Sequence, residues 1–350
     1  MRFTPSLALL SALALLGPVG DARASDGGAS LDAAGVAAAQ ADLAWDLYRE
    51  LADDPVGDPA GNLFYSPASI ALALSMTLTG AAGETAAEMR DVLHYPDAGH
   101  AVHEAAGALQ DALVGTVPDP RDPDRPAFRL SVANRLWVQQ GFSLRDRFLG
   151  LCRDHYGAGV GRVDFQRRPE DARQEINEWV SEQTAHKITD LLPPSAIDPL
   201  TVLVLTNAVH FLAQWAEPFE PERTVDRPFH VPGIGAVDVP TMRQSETFAY
   251  AADDDVQFLR LHYSGGRQVC EIILPRAREG LADLTADLTR TRLQAWRGAA
   301  RSRLVDLELP RVDIEAWAEL ADLLADLGMP GAFRSGRADF SGMTTDEPLV

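Results

Sequence analysis

Residues 62–80 read NLFYSPASIALALSMTLTG, a short extended run that passes directly into an apolar helix. Ser66 can cap this helix with its side-chain oxygen, and Pro67 suits the first helical position, where no N–H is needed. Ser69 follows one turn later, among isoleucine, leucine and alanine residues, on a segment too apolar to be a surface helix. The stretch therefore predicts a helix that starts at Pro67 and buries two hydroxyls, whose role the rest of the chain has to explain.

The composition is that of a globular protein whose partners are not anionic polymers. The chain has 350 residues, 46% hydrophobic and 23% charged, which is enough for one large domain or two. Its formal net charge is −20, and Lys187 is its only lysine. Because nucleic acids and anionic membranes would repel such a chain, we expect neither as a partner.

Residues 1–24 are predicted to form a signal peptide. Arg2 precedes the short apolar run LALLSALALLGPVG, and Ala22-Arg23-Ala24 resembles a cleavage site. The run is too short to span a bilayer. Residues 25–35 are small and polar, which is typical of a flexible leader. We therefore expect a secreted protein, either extracellular or periplasmic.

The two cysteines, Cys152 and Cys270, lie in the apolar contexts FLGLC and QVCEIIL. In an exported protein they could form one disulfide, but such surroundings favour buried free thiols. Core packing then has to stabilise the fold without a cross-link.

Hydrophobic periodicity predicts one mixed α and β domain over residues 36–350, without an internal linker. Helices are predicted in 36–52, 67–80, 83–93, 103–114, 142–156, 169–192 and 315–329. Strands are predicted in 128–138, 201–215, 256–263, 267–275 and 304–314, with Gly265-Gly266 as a hairpin turn. The start of 201–215 is apolar without alternation, which predicts a central strand covered on both faces. The Pro- and Asp-rich residues 117–126 are predicted to be an exposed loop.

The sequence carries no motif typical of an enzyme or of a cofactor site. GAGVG at 157–161 has the wrong spacing for a nucleotide fingerprint and follows a helix rather than a strand. His94, His100 and His103 could approach a metal, but a solvated loop or helix face explains them more simply. Residues 253–255, three aspartates, form a charged turn rather than a calcium loop. We therefore expect a protein that is not an enzyme and holds no metal or cofactor.

A series of motifs follows one another along the chain. They read NLFYSPASI, LTGAAGETAAEM, VANRLWV, INEWVSEQTAHKI, TNAVHFLAQW, VPTM, IILP, LGMPGAF and ADFSGM. Each is modest alone, but in this order and spacing they resemble the motifs of the serpin family from about residue 40 to residue 350. The sequence departs from the family at Leu212 and Ala213, where Lys and Gly are usual.

The resemblance implies an α+β fold with a large, mostly antiparallel main sheet, additional smaller sheets and about eight to nine helices. In serpins a five-stranded main sheet opens to accept the protein's own reactive loop, itself a standard example of strand addition. Ser66, Ser69 and Asn207 match the family's shutter, a polar cluster between the central strands. Trp215 matches the tryptophan of the breach, where the loop begins to enter. The plain alternatives are a helix cap with a satisfied polar cluster, and a core anchor.

The function implied by the resemblance is inhibition of serine or cysteine endopeptidases by a suicide-substrate mechanism. The printed sequence ends at FSGMTTDEPLV, before the positions of the family's reactive loop. We therefore expect the domain over 36–350 to be C-terminally incomplete and inactive as written, and to be a monomer. The alternative is a non-inhibitory serpin that acts as an extracellular binding or chaperone-like protein.

Overall fold

The structure is a computed structural model that describes residues 2–3, 31–53, 62–231, 234–266, 268–312, 314, 320–334 and 336–344. The predicted signal peptide lies outside the described residues except for Arg2–Phe3. The first residues of the predicted leader, 25–30, also lie outside them. Its last three residues, 33–35, are helical rather than flexible, because the first helix begins at Ala33.

Nine α-helices and two short 3-10 helices lie within the described ranges. They are α1 (Ala33–Asp53), α2 (Pro67–Leu78), α3 (Gly83–Val92), α4 (Ala101–Leu113), α5 (Asp146–Tyr156), α6 (Pro169–Gln183), α7 (Leu281–Asp287), α8 (Arg290–Ala299) and α9 (Ala321–Asp326), with 3-10 turns at Pro221–Arg223 and Pro330–Phe333. Helix α2 begins as predicted, since Pro67 occupies its first position and the Ser66 hydroxyl accepts the Ser69 N–H at 3.3 Å.

The described strands form two sheets. They are β1 (Arg2–Phe3), β2 (Gly115–Asp119), β3 (Asp122–Gln139), β4 (Gly159–Val163), β5 (Leu203–Ala213), β6 (Val225–Val231), β7 (Gly235–Ala252), β8 (Val256–His262), β9 (Val269–Pro275) and β10 (Arg301–Pro310). In the first sheet β2 and β4 share one edge of β3, and β5 takes the other. The second sheet has the order β1-β10-β7-β8-β9, with β6 also paired to β7. The pairs β3–β4 and β1–β10 are parallel and the other pairs antiparallel.

Among the described residues, strand β5 has a single neighbour in its sheet, whereas the sequence predicted a central strand. It pairs with β3 in an antiparallel register that sets Asn207 opposite Asn134. In the part of the chain that the structure describes, no strand other than β3 pairs with β5. Two covered faces are confirmed, since α2 and α6 both pack on the strand. The central position requires a second neighbouring strand and stays a prediction, because apolar content reports on covered faces and not on the number of neighbouring strands.

Residues 117–126 form a hairpin rather than the predicted loop. Val117 pairs with Phe128, and the register then shifts at Pro118 and Asp119. Proline cannot donate to a ladder, so it is confined to edges and irregular places such as these. The prolines correctly indicated irregular backbone, but this irregularity belongs to a hairpin at the margin of the sheet.

Helix α6 ends at Gln183, well before the predicted residue 192. Ala185 and His186 have positive φ angles of 52° and 60°, which no α-helix can continue through. The chain then folds back, and the Asn177 side chain exchanges two 2.9 Å hydrogen bonds with the backbone of Leu192. The predicted Gly265-Gly266 turn is confirmed between β8 and β9. Residues 315–319 of the last predicted helix lie outside the described residues.

Helices α1 to α5 cover one face of the first sheet and enclose the largest hydrophobic core. Leu136 and Val138 of β3 enter this core, whereas Trp137 lies on the opposite face beneath α6. Cys152 and Cys270 are both buried and free, as predicted, and burial raises the pKa of each thiol to about 11. Within the described ranges no helix is both long and apolar enough to cross a bilayer.

Candidate functional site

The start of helix α2 carries the first two predicted shutter residues. Ser66 is exposed and Ser69 is half-buried, so the prediction that both hydroxyls are buried is wrong. Helix α2 packs on β5, and within the described residues nothing lies along the outer edge of that strand to cover the helix start. The two serines nevertheless contact each other through the capping hydrogen bond.

A chain of side-chain hydrogen bonds runs from α2 across β5 to β3. The Ser69 hydroxyl donates to Oδ1 of Asn207, and Nδ2 of Asn207 donates to Oδ1 of Asn134 at 2.6 Å. Asn134 Nδ2 then donates to the backbone oxygen of Tyr156 at 2.7 Å and to Oε1 of Gln110 at 3.2 Å. Both asparagines use a donor and an acceptor, so the cluster ties a helix start to two paired strands.

Asn134 belongs to this cluster and was not predicted from the sequence. It is only 5% exposed, and it lies directly opposite Asn207 in the sheet. Its signal was present in the alternation of β3, where Phe128, Leu136 and Val138 share the core face. Asn134 is an even-numbered residue of β3 and therefore lies on the same face. A buried amide there requires hydrogen-bond partners within the protein.

Beyond Asn134 the polar contacts reach a buried histidine on α4. Nδ1 of His103 lies 2.8 Å from the Tyr156 hydroxyl. Burial lowers the pKa of His103 to about 4, with smaller contributions from His100 and His155. Burial also raises the pKa of Tyr156 well above its usual value. At neutral pH both groups are uncharged, and the asparagine pair therefore lies in neutral surroundings.

The outer edge of β5 presents a row of backbone hydrogen-bonding groups. Gln214 N–H donates to the Ala127 carbonyl at 2.8 Å, and Gln139 N–H donates to the Val202 carbonyl at 2.9 Å. In an antiparallel ladder this phase means that even-numbered residues of β5 bond to β3 and odd-numbered residues point away. The odd-numbered residues are Leu203, Leu205, Asn207, Val209, Phe211 and Ala213. An extended segment can add at this edge as a further strand.

Helix α6 closes the face of the sheet opposite α2. Trp137 of β3 meets Trp179 of α6 edge-on, with ring centroids 5.8 Å apart, and its Nε1 donates to Thr206 of β5 at 3.1 Å. The Arg135 guanidinium lies 4.4 Å from the Trp137 ring centroid and 5.5 Å from that of Trp179, a cation–π contact. Any separation of α6 from the sheet has to break the edge-on contact between the two tryptophans and the contact of Arg135 with Trp179.

Trp215, the predicted breach residue, lies where β5 meets the second sheet. Its ring stacks on Tyr263 with centroids 4.6 Å apart, and it meets Phe219 edge-on at 6.1 Å. The Ser264 N–H donates to the Gln214 carbonyl at 2.8 Å, which fixes the same junction. Eight residues of extended chain, about 26 Å, separate this tryptophan from the shutter asparagine. The structure therefore places Asn207 within β5 and Trp215 two residues beyond the end of that strand.

The histidines considered as metal ligands have other contacts. His94 hydrogen-bonds to Asp46, His100 contacts Arg147, and His103 contacts the tyrosine described above. Across the ranges that the structure describes, no group of three or more His, Cys, Asp or Glu side chains is placed to hold a metal ion.

Comparisons with known proteins agree with this architecture. Residues 38–350 match the family described as Serpin (serine protease inhibitor). An uncharacterized serpin-like protein of Thermococcus kodakarensis is 40% identical over 307 residues, 87% of this chain and 68% of that protein. The leukocyte elastase inhibitor of Equus caballus is 37% identical over 310 residues, 86% of this chain and 79% of that protein. Reactive loop cleaved human thyroxine binding globulin has a TM-score of 0.80 at 29% identity, covering 90% of this chain and 89% of that chain.

The family match extends over most of the chain, and the solved relative shares its fold. The expected α+β architecture, with mostly antiparallel sheets and about nine helices, is confirmed. The family is described as one of serine protease inhibitors, and the relative from Equus caballus is named as an inhibitor rather than as a catalyst. The chain belongs to the serpin family.

Proposed function

We propose that this protein inhibits serine or cysteine endopeptidases by inserting a cleaved reactive loop as a new strand beside β5. The observation that carries the proposal is the outer edge of β5, where six residues direct backbone groups away from β3. One relative is named as a leukocyte elastase inhibitor, and one solved relative is described as reactive loop cleaved. Both names support a protease as the partner.

In the proposed mechanism the protease treats the inhibitor as a substrate. Its nucleophile attacks a peptide bond of the reactive loop and forms an acyl-enzyme. Insertion of the loop beside β5 then carries the protease away before deacylation and distorts its oxyanion site. The free energy comes from completing the sheet, because an added strand pairs the backbone groups at its edge. The mechanism calls for no cofactor.

Ser66, Ser69 and Asn207 form the shutter in this proposal, and Asn134 joins them. Hydroxyl and amide groups can exchange hydrogen-bond partners while strands separate, whereas a wholly apolar contact would only hold them together. Trp215 forms the breach, because it stacks at the end of β5 that joins the second sheet. An incoming strand would start at that end and reach the shutter halfway along β5.

The test is complex formation between the protein made by its natural host and single proteases. The panel should include an elastase-type, a trypsin-type, a subtilisin-type and a papain-type enzyme. The proposal expects a protease–inhibitor complex that survives SDS with at least one of them, together with cleavage of the loop. Cleavage by every protease of the panel without such a complex would contradict it.

The alternative is a non-inhibitory serpin that acts as an extracellular binding or chaperone-like protein. It is favoured by the solved relative whose name describes the binding of thyroxine. The two candidates differ in one measurement after loop cleavage. Insertion adds a strand and should raise the thermal unfolding midpoint by many degrees, whereas cleavage without insertion should leave it unchanged.

The extent and location of the protein are proposals of the same kind. Inhibition by this mechanism requires a host-made chain that carries the reactive loop. An intact mass above that of residues 25–350 would show such a segment, and a mass equal to it would favour the alternative. Recovery of this species outside the cytoplasm tests secretion after residue 24, and gel filtration tests the expected monomer.

A further inference from the structure

An open cleft of about 500 Å3 lies away from β5, where four helix ends meet a late segment of the chain. The C-terminal end of α2 and helix α3 form one side, and the N-terminal ends of α4 and α5 form the other. Ser341 and Gly342 close it. The volume is within the range of roughly 300–1,000 Å3 that is usual for small-molecule sites.

Arginine and histidine side chains line this cleft. Arg90 comes from α3, Arg145 and Arg147 come from the start of α5, and His100 precedes α4. Among the described residues none of the lining side chains is a carboxylate. The chain as a whole has 51 acidic and 31 basic residues. A cleft lined, in the described part of the chain, by arginines and by no carboxylate is therefore unusual for this acidic protein.

The arginines are positioned without being neutralised. Nε of Arg145 donates to the backbone oxygens of Ser341 and Thr344, at 2.8 and 3.0 Å. Within the described ranges no carboxylate lines the cleft beside it. Arg147 contacts Nε2 of His100, which is an imidazole nitrogen and not a carboxylate. Arg90 has a carboxylate partner, but only at 3.9 Å and on a side chain that is 83% exposed. Such an exposed ion pair contributes little interaction free energy, so it leaves Arg90 able to bind another anion.

Two helix N-termini add to the positive potential of the cleft. Helices α4 and α5 have 13 and 11 residues, and their N-cap residues make no side-chain capping hydrogen bond. Unsatisfied N–H groups at a helix start carry about half a positive charge. The acidic residues of these first turns, Glu104 and Asp146, do not line the cleft.

The floor of the cleft is apolar and buried. Leu78, Val102 and Phe148 line it, and each is at most 7% exposed. Arginines standing over a dry floor bind phosphate oxygens more strongly than arginines on an open surface, because the local dielectric is lower. At physiological salt the Debye length is about 8 Å, so the distant carboxylates of this acidic protein are screened.

We propose that this cleft is a binding site for a compact, multivalent phosphate compound, held by the guanidinium groups of Arg90, Arg145 and Arg147. The fork of an arginine matches phosphate oxygens in a bidentate way, and the volume accommodates more than one phosphate group. Such a ligand would bridge the start of α5 and the segment at Ser341–Gly342, so it would stabilise the folded protein. The site is independent of protease inhibition.

The experiment is a calorimetric titration of the purified protein with pyrophosphate at constant ionic strength, with inorganic phosphate as the smaller probe. We expect saturable binding of one pyrophosphate per chain, weaker binding of phosphate and a higher thermal midpoint on binding. The Arg147→Gln variant should bind pyrophosphate about tenfold more weakly or worse, since it loses a charged hydrogen bond. Arg90→Gln gives a second variant on another wall of the cleft.

The matched control is Arg121→Gln, which removes the same charge from the exposed turn between β2 and β3. It should bind pyrophosphate like the unaltered protein. Two results would overturn the proposal. One is no saturable binding at millimolar pyrophosphate, and the other is an equal loss in Arg121→Gln and in the cleft variants. Circular dichroism of each variant separates a lost fold from a lost site.

Discussion

Replacing Asn134 with alanine removes the central member of the hydrogen-bonded chain between α2 and β3. Asn134 accepts a hydrogen bond from Asn207 at 2.6 Å and donates to the Tyr156 backbone oxygen at 2.7 Å. A third contact, to Gln110, is longer at 3.2 Å. Because Asn134 is 5% exposed, water cannot replace these partners without a rearrangement of the sheet.

The expected loss follows from these contacts. A hydrogen bond contributes about 1 kcal/mol net, and a buried group left without its partner costs about 1–3 kcal/mol. Two short bonds, and a Tyr156 backbone oxygen left with only the 3.4 Å contact to Gln110, then amount to about 3 kcal/mol in the free energy of unfolding. Gln110→Ala, which loses only long contacts at 3.2 and 3.4 Å, should cost about 1 kcal/mol or less.

Urea unfolding followed by circular dichroism measures both variants, and an unchanged m-value is required for the comparison. A double-mutant cycle with Asn207→Ala isolates the amide–amide contact. Residues that share a hydrogen bond should show a coupling of about 0.5–3 kcal/mol. If Asn134→Ala costs less than about 0.5 kcal/mol, as a surface substitution does, or if the two changes simply add, the hydrogen-bonded chain does not hold the strands together.

Three further predictions concern buried groups. Glu271, whose side chain is 6% exposed, accepts hydrogen bonds from two arginines, so Glu271→Gln should cost about 2 kcal/mol in urea unfolding and a neutral result would contradict this. The folded protein lowers the pKa of His103 from 6.5 to about 4, so the unfolded state binds its proton first. Stability is therefore full above pH 6.5 and falls by the order of 3 kcal/mol toward pH 4, and His103→Gln should flatten this part of the profile. Because burial raises the thiol pKa values of Cys152 and Cys270 to about 11, a thiol reagent at pH ~8 should label neither in the native protein and both in urea; rapid native labelling would refute the burial.

Local chemistry made parts of this fold predictable from the sequence. The Ser66-Pro67 pair fixed the start of α2 through capping and ring geometry, and the alternation of β3 fixed its core face. Asn134 could have been found by asking why an amide interrupts that face. These features depend on residues a few positions apart, so the sequence displays them directly.

Other features depend on which distant segments meet. The apolar run of β5 is the same whether the strand has one neighbour or two, so the sequence alone could not identify its neighbours. The partner of Asn207 depends on the register of two strands that are 73 residues apart in the chain. The arginine cleft combines elements from residue 78 to residue 342. Hydrophobic periodicity does not predict such long-range contacts, because they result from the packing of whole helices and strands.

Amide hydrogen exchange along β5 is a direct measure of loop insertion beside this strand. An added strand would bond to the odd-numbered amides of β5 and leave the even-numbered amides unchanged. The measurement compares the host-made protein before and after a protease has cleaved it. Insertion of a strand beside β5 should make the amides of Leu203, Leu205, Asn207, Val209 and Phe211 more strongly protected, while the even-numbered amides, already bonded to β3, change little. Cleavage with no gain of protection at the odd-numbered amides would contradict insertion of the loop beside β5.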